Sequence, residues 1–308
     1  MKDVKDFEPR KQTMSELARQ FKSCAFNARR LGEAVDIMEE MAKDKKCVKF
    51  LGLSGAMVPA GMRKTIVEMI KNGWVDIIVS TGANMTHDIA RSFGEKYIHC
   101  EPEKVDDAEL RRKGFDRIYD VISPVKTMST MEKNIQKILK QMEEGEYSTF
   151  ELMAEIGKRI KDKDSIVRNA YERGVKIIIP AFVDSILGIQ VWMFSQDHKL
   201  RINEMKDLDY LINLNFDLKG QKKNTGALIL RGGVPKNFIF QSVLVADKPH
   251  KYLVQIATQG PEYGDLTGAT LEEAISWGKA DKNSRLCTVY CDPTIALPII
   301  VSALKERL

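Results

Sequence analysis

The sequence has little cysteine and little histidine, five of one and four of the other in 308 residues. The cysteines (Cys24, Cys47, Cys100, Cys287, Cys291) are odd in number and form no C-x-x-C pair. That pattern excludes a disulfide scaffold and leaves reduced thiols that behave as small apolar residues. Cys287 and Cys291 lie in a β-like run and are expected on one strand face. His87, His99, His198 and His250 are scattered without ligand spacing, so no metal site is expected. No apolar run approaches the roughly 18 residues of a membrane span. The opening segment, MKDVKDFEPRKQTMSELARQ, lacks the apolar core of a signal peptide, and the expected location is the cytoplasm. An excess of one charge is missing too. The 48 basic and 43 acidic residues are mixed along the chain, with no basic tail or basic–aromatic repeat that would point to nucleic acid. No repeat, low-complexity tract or Pro/Gly/Ser-rich linker interrupts the chain. A single domain over 1–308 is expected, with a helical segment over 1–45 packed on it.

What is present is a core-forming chain, 44% hydrophobic and 30% charged. Six runs read as buried strands: 47–54, 75–81, 175–182, 226–230, 252–258 and 286–292. Most are continuous apolar runs, which suits a parallel sheet covered on both faces. Helical patterns fill the intervals at 59–72, 129–143, 150–161, 165–173, 200–213, 235–246 and 293–306, with one or two helices over 12–42. Alternating strands and helices imply an α/β, doubly wound, mainly parallel sheet of about six strands with helices on both faces. Residues 99–128 are the least regular and read as an insertion or functional loop.

In such sheets ligands bind beyond the carboxyl ends of the strands. Those ends read Ser54-Gly55-Ala56, Ser80-Thr81-Gly82, Pro180 to Ser185 with Asp184, Arg231-Gly232-Gly233, Thr258-Gln259-Gly260 and Asp292-Pro293. Glycine lets backbone N–H groups approach a ligand, and a helix N-terminus favours phosphate. Each loop alone could merely make a turn; together they suggest a nucleotide or dinucleotide site, although no G-x-G-x-x-G is present. The segment Thr270-Leu271-Glu272-Glu273 has capping-box spacing, which predicts a helix over 271–278 with Ala274 and Trp277 or Gly278 facing inward. Lys279 would close that helix. It is either a charge complementing the helix dipole or an amine held in a partly dry pocket, where a lowered pKa makes it nucleophilic.

The tetrapeptide Ser276-Trp277-Gly278-Lys279, with LGLSGAMVPAGMR, VDIIVSTGAN, IPAFVDSILG, LILRGGVPKN and VYCDPTIALPIIVSAL in order, resembles the deoxyhypusine synthase family over residues 30–306. The resemblance implies a Rossmann-like fold, a homotetramer, NAD as cofactor, and 4-aminobutyl transfer from spermidine through a lysine imine. The implied acceptor is a lysine of a translation factor precursor. By position, Lys279 matches the covalent lysine, Trp277 the aromatic beside the polyamine, and Glu273 a carboxylate near the substrate amines. Ser54, Gly55, Thr81, Gly82, Asp184, Gly232, Gly233, Thr258 and Asp292 match the cofactor side.

The sequence also departs from the family. Asn237 stands in place of a histidine, Ile189 and Leu266 in place of aspartates, His87 in place of a glutamate, and Gly55-Ala56 in place of Ser-Asn. Buried ammonium groups need carboxylate partners, and Asp265, Asp88 and Glu262 are the candidate replacements. The chain thus resembles a divergent, deoxyhypusine synthase-like branch. Alternative readings are homospermidine synthase-like transfer to putrescine or another polyamine, an NAD-dependent amine oxidoreductase, and a non-catalytic partner subunit.

Overall fold

In a computed structural model describing residues 3–308, the apolar runs become one six-stranded sheet. Its strands are β1 (Cys47–Leu53), β2 (Ile77–Ser80), β3 (Lys176–Ile178), β4 (Asn224–Leu230), β5 (His250–Ala257) and β6 (Ala280–Tyr290). They lie in the order β6-β5-β4-β1-β2-β3. This is the doubly wound order of dinucleotide-binding sheets, in which the chain reverses its direction of progress between β1 and β4. The pairings β1·β4, β4·β5 and β5·β6 are parallel. Phe50, Leu51, Leu53, Leu228, Leu230, Leu253 and Ile256 are almost wholly buried, as a sheet covered on both faces requires.

The strand at the edge starts earlier than its sequence suggests, at Ala280 rather than 286. Ala280 pairs with His250, the register then shifts, and Arg285 pairs with Tyr252. Residues 281–284 bulge out and are mostly exposed, so they carry none of the apolar signal of a strand. Cys287 is buried within β6, whereas Cys291 lies just beyond its end and is half-buried.

The chain divides into two compact units, Met1–Ser54 with Glu68–Val79 and Leu208–Leu308, and Gly55–Val67 with Ser80–Asp207. In the first, helices Met14–Ser23 and Phe26–Lys43 account for the expected helical segment. Thr13 and Glu16 form a capping box at the start of the first. Its backbone is tied to helix Pro293–Arg307: the Glu306 carboxylate accepts the N–H groups of Met14 (3.2 Å) and Ser15 (2.6 Å). Arg307, whose side chain is nearly buried, pairs with Asp36 at 2.8 Å and Glu39 at 2.9 Å.

The second unit is organised by one buried carboxylate. Asp88 receives the Arg63 Nε–H at 2.5 Å and the Ser165 hydroxyl at 2.7 Å. It also receives the Ile166 and Val167 N–H groups at 3.0 Å each, at the start of helix Ile166–Arg173. Arg63 makes a further bond to Asp162 at 2.7 Å. Residues 99–128 are not irregular. Ile98–His99, Phe115–Ile118 and Val121–Pro124 form a three-stranded antiparallel sheet with helix Asp107–Arg112 beside them in sequence. These strands are half-exposed and too short to show alternation. The helix expected from 200 begins at Met205, because Leu200–Ile202 pairs in parallel with Gly145–Tyr147. No helix among the described residues is long and apolar enough to cross a membrane. No group of potential metal ligands is found among them either.

Asp88→Ala leaves the buried Arg63 guanidinium without its main partner and two N–H groups unpaired. The expected cost is about 3–5 kcal/mol, read as a lower urea midpoint; a midpoint within experimental error of the wild type would refute the central role of this carboxylate.

Candidate active site

The end of β1 and the end of β4 are stitched by one hydroxyl. Ser54 Oγ donates to the Leu230 carbonyl at 3.1 Å and accepts the Gly232 N–H at 3.2 Å. Gly232 is buried, and a Cβ on it would sit 2.5 Å from Thr267 Cα, so only glycine permits this approach of the neighbouring loop. Gly233, at φ 67° and ψ −142°, occupies a region closed to other residues. Helix Val234–Ser242 begins there, with proline in its first turn and no side-chain cap on its N–H groups. Arg231 stands next to it with its Nε buried and without a hydrogen-bond partner. An uncapped helix start, a glycine pair and an orphaned guanidinium N–H suit the pyrophosphate of a dinucleotide.

The other expected cofactor residues fall in two groups. In the first unit, Asp292 accepts from the Thr294 N–H (2.7 Å) and hydroxyl (2.6 Å), capping helix Pro293–Arg307, with Arg231 at 3.6 Å. Against the upward push of burial, these bonds hold its carboxyl below the usual range. Thr258, just after β5, is exposed. In the second unit, Thr81 precedes helix Gly82–Ser92, and a Cβ on Gly82 would meet Ser185 Oγ at 2.4 Å. Gly82 therefore lets the turn carrying Asp184 come close, and Asp184 itself is exposed. Gly55 opens this unit with φ 76°.

Helix Val234–Ser242 also builds a second feature, a cavity of about 290 Å³ within the first unit. One wall is the helix face of Lys236, Asn237, Phe240 and Gln241, continued by Leu244; the other is Leu266, Ala269, Thr270, Glu273, Ala274, Trp277 and Lys279. Three side chains hold the second wall in place. Lys236 Nζ donates to the carbonyls of Leu266 (3.0 Å) and Ala269 (2.5 Å), and Gln255 Nε2 to that of Thr267 (2.6 Å). Asp265 Oδ1 accepts the Thr267 and Gly268 N–H groups at 2.7 and 2.9 Å.

The helix expected over 271–278 is a single turn, Glu273–Ser276. Half of the capping box exists: Thr270 Oγ1 accepts the Glu273 N–H at 3.2 Å. Ala274 is buried as expected, but Trp277 is 63% exposed and Gly278 is exposed as well. The turn ends because Gly278 adopts φ 70°. Its N–H bonds to the Ile275 carbonyl at 3.0 Å and the Lys279 N–H to that of Ala274 at 2.9 Å, a Schellman closure. Lys279 is then locked from the other side, since its carbonyl accepts the His250 N–H at 3.0 Å as β6 begins. Its amine is half-buried, 5.3 Å from the centre of the Trp277 ring. Burial lowers its basicity below that of ordinary lysine, and Glu273 partly opposes this. Burial likewise pushes Lys236 down to about 8; Lys279 adds to the shift, and Glu273 and Asp265 oppose it.

Of the residues expected at the substrate side, Lys279, Trp277, Glu273 and Asn237 therefore share one cavity. Asp265 does not line it, because its carboxylate is committed to its own turn and reaches the cavity only through its field on Lys236. Asp88 is fully buried and bonded to Arg63, Glu262 lies on the exposed turn Pro261–Tyr263, and neither lines this cavity. Glu273 is the one carboxylate among the lining residues. Lys236, Phe240, Gln241 and Leu244 were not marked as substrate-side residues by sequence. Their spacing along the helix that follows the glycine pair was the available signal.

The family model of deoxyhypusine synthase matches residues 16–304. A "Probable deoxyhypusine synthase" of Methanosarcina thermophila is 41% identical over 296 residues, 96% of this chain and 92% of its own. "Probable deoxyhypusine synthase 1" of Archaeoglobus fulgidus is 42% identical over 296 residues, 96% of this chain and 94% of its own. A crystal structure assigned as a deoxyhypusine synthase of Entamoeba histolytica shares the fold, with a TM-score of 0.65 at 16% identity over 95% of this chain and 93% of that one. On matches of this extent, the chain belongs to the deoxyhypusine synthase family and is an enzyme of the transferase class.

Proposed function

We propose that this protein transfers the 4-aminobutyl group of spermidine to an acceptor amine through Lys279, the acceptor being a lysine of a translation factor precursor. The observation that carries the reading is the placement of Lys279. Its backbone is locked on both sides, and its amine opens into an apolar-walled cavity that contains a carboxylate. In this reading NAD binds at the β1/β4 switch and supplies the hydride acceptor and donor. The chain's own residues do the rest. Gly232, Gly233 and the start of helix Val234–Ser242 hold the pyrophosphate, with Arg231 beside it. Glu273 takes a donor ammonium, and Trp277 packs along the aliphatic chain. The neutral Lys279 amine attacks the imine carbon of the oxidised donor. The bond from that carbon to the departing nitrogen breaks, 1,3-diaminopropane leaves, and the aminobutyl group stays on Lys279 as an imine until the acceptor amine displaces it.

Assembly into a homotetramer belongs to the same proposal. What supports it is helix Ile186–Phe194, apolar on all sides, which exposes Ile186, Ile189, Trp192 and Met193, with Val183 just before it. A helix of this composition is ordinarily covered. Ile189 belongs to this surface and not to the cavity of the first unit.

Three outcomes are expected. Borohydride added to protein, NAD and spermidine should leave an aminobutyl adduct on the peptide containing Lys279, and Lys279→Ala should abolish transfer; unchanged turnover in that variant would end the covalent reading. At saturating amine, the trapping rate should rise with pH as Lys279 loses its proton. Because Glu273 raises the basicity of Lys279, Glu273→Gln should move that rise to lower pH, and a move to higher pH would contradict the assignment. Trp192→Glu should reduce the molar mass measured by sedimentation, which a wild-type mass would argue against.

A further inference from the structure

In the second unit, two carboxylates that the proposed chemistry does not use hold the turn after β3. Beyond Ile178 the chain leaves the sheet, and side chains take over its backbone bonds. The Ile179 N–H donates to Thr149 Oγ1 at 2.8 Å. Thr149 is itself fixed by the buried Asp207, which accepts its N–H at 3.0 Å and that of Phe150 at 3.2 Å. Three residues further on, the Phe182 N–H donates to Glu204 Oε1 at 2.7 Å. Between these two points lies Ala181, exposed and at φ 58°. Alanine is strained in the left-handed region, and such a conformation persists only where its surroundings impose it.

The rest of the turn is closely fitted. Ser185 Oγ donates to the Phe182 carbonyl at 2.8 Å and accepts the Gly188 N–H at 2.9 Å, and the Leu187 N–H donates to Thr86 Oγ1 at 3.3 Å. A Cβ on Gly188 would strike the Phe182 carbonyl, and one on Gly82 would strike Ser185. The turn thus packs against Gly82 with the Phe182 side chain buried, while Val183 and Asp184 at its tip are exposed.

We propose that Glu204 is a positioning residue for cofactor binding: by holding the Phe182 N–H it keeps Ala181 in its strained conformation and so fixes Asp184 where its carboxylate accepts from the hydroxyls of a ribose. Glu204 acts through the backbone of the turn and not on the cofactor. Without that bond Ala181 relaxes toward a conformation alanine prefers, and Asp184 moves with it. The inference rests on NAD being the cofactor of the proposed function and adds the residue that orients one of its ligands.

The test uses the full-length protein. NAD affinity is measured by calorimetry, and hydrogen exchange of segment 179–185 is followed by mass spectrometry in the absence of ligand. Glu204→Ala should speed that exchange and weaken NAD binding about tenfold, the size expected for losing a hydrogen bond to a charged acceptor. Glu204→Gln keeps the accepting oxygen and should bind NAD close to wild type. In an Asp184→Ala background, Glu204→Ala should weaken NAD no further, because the two act as one unit. Wild-type NAD affinity in Glu204→Ala would overturn the proposal, even with faster exchange. Equal losses in the Ala and Gln variants would overturn it too, as would losses that add in the double variant, which would show a role not exercised through Asp184. A wild-type protein that binds no NAD would end the cofactor reading and the positioning role together, whereas the other failures leave the cofactor reading standing.

Discussion

The parallel pairing of β1 with β4 is the constraint on which the functional geometry depends. It runs in register from Cys47↔Asn224 to Leu53↔Leu230. It brings Ser54 level with the glycine pair that follows β4, where one hydroxyl bridges the two strand ends. The order of the sheet reverses at this pair. Helix Val234–Ser242 starts directly after the glycine pair and forms a wall of the cavity that contains Lys279. One element thus has an uncapped N-terminus beside the glycine pair and one face lining the cavity of Lys279. Nine residues of helix span roughly 13 Å.

The cavity is unusual in its charge inventory. Lys236 and Lys279 face a single lining carboxylate, Glu273, inside largely apolar walls. Burial lowers the basicity of both lysines, the direction that a nucleophilic lysine requires. Glu273 restrains this trend for both.

The two closures around Lys279 show why its backbone is so well determined. Gly278 supplies the left-handed residue that ends the turn, and β6 begins at the next residue but one. A lysine held by a Schellman closure on one side and a strand pairing on the other has little backbone freedom left, and its side chain alone samples the cavity. The same economy appears at Asp88, where one carboxylate serves an arginine, a hydroxyl and a helix start.

Apolar runs long enough to be buried on both faces were readable as strands, and the alternation with helices was enough for the fold class. The motif around Ser276-Trp277-Gly278-Lys279 was equally readable, because it is contiguous. Other features depended on partners distant in sequence. The start of β6 is polar because it bulges into solvent, so no apolar pattern marks it. The helix expected over 271–278 shrank to one turn because the Gly278 closure ends it early. Asp265 looks like a substitute carboxylate beside Leu266 until its oxygen is seen to cap its own loop. Lys236 looks like any lysine in a first helical turn until two carbonyls from thirty residues away are found around it. Sequence by itself determined where the strands, the glycine turns and the Ser276-Trp277-Gly278-Lys279 motif lie, because local pattern and local backbone geometry decide those. Tertiary structure decided which charges meet in one cavity, because burial and the electric field of a neighbour depend on distance in space, which a linear sequence does not state.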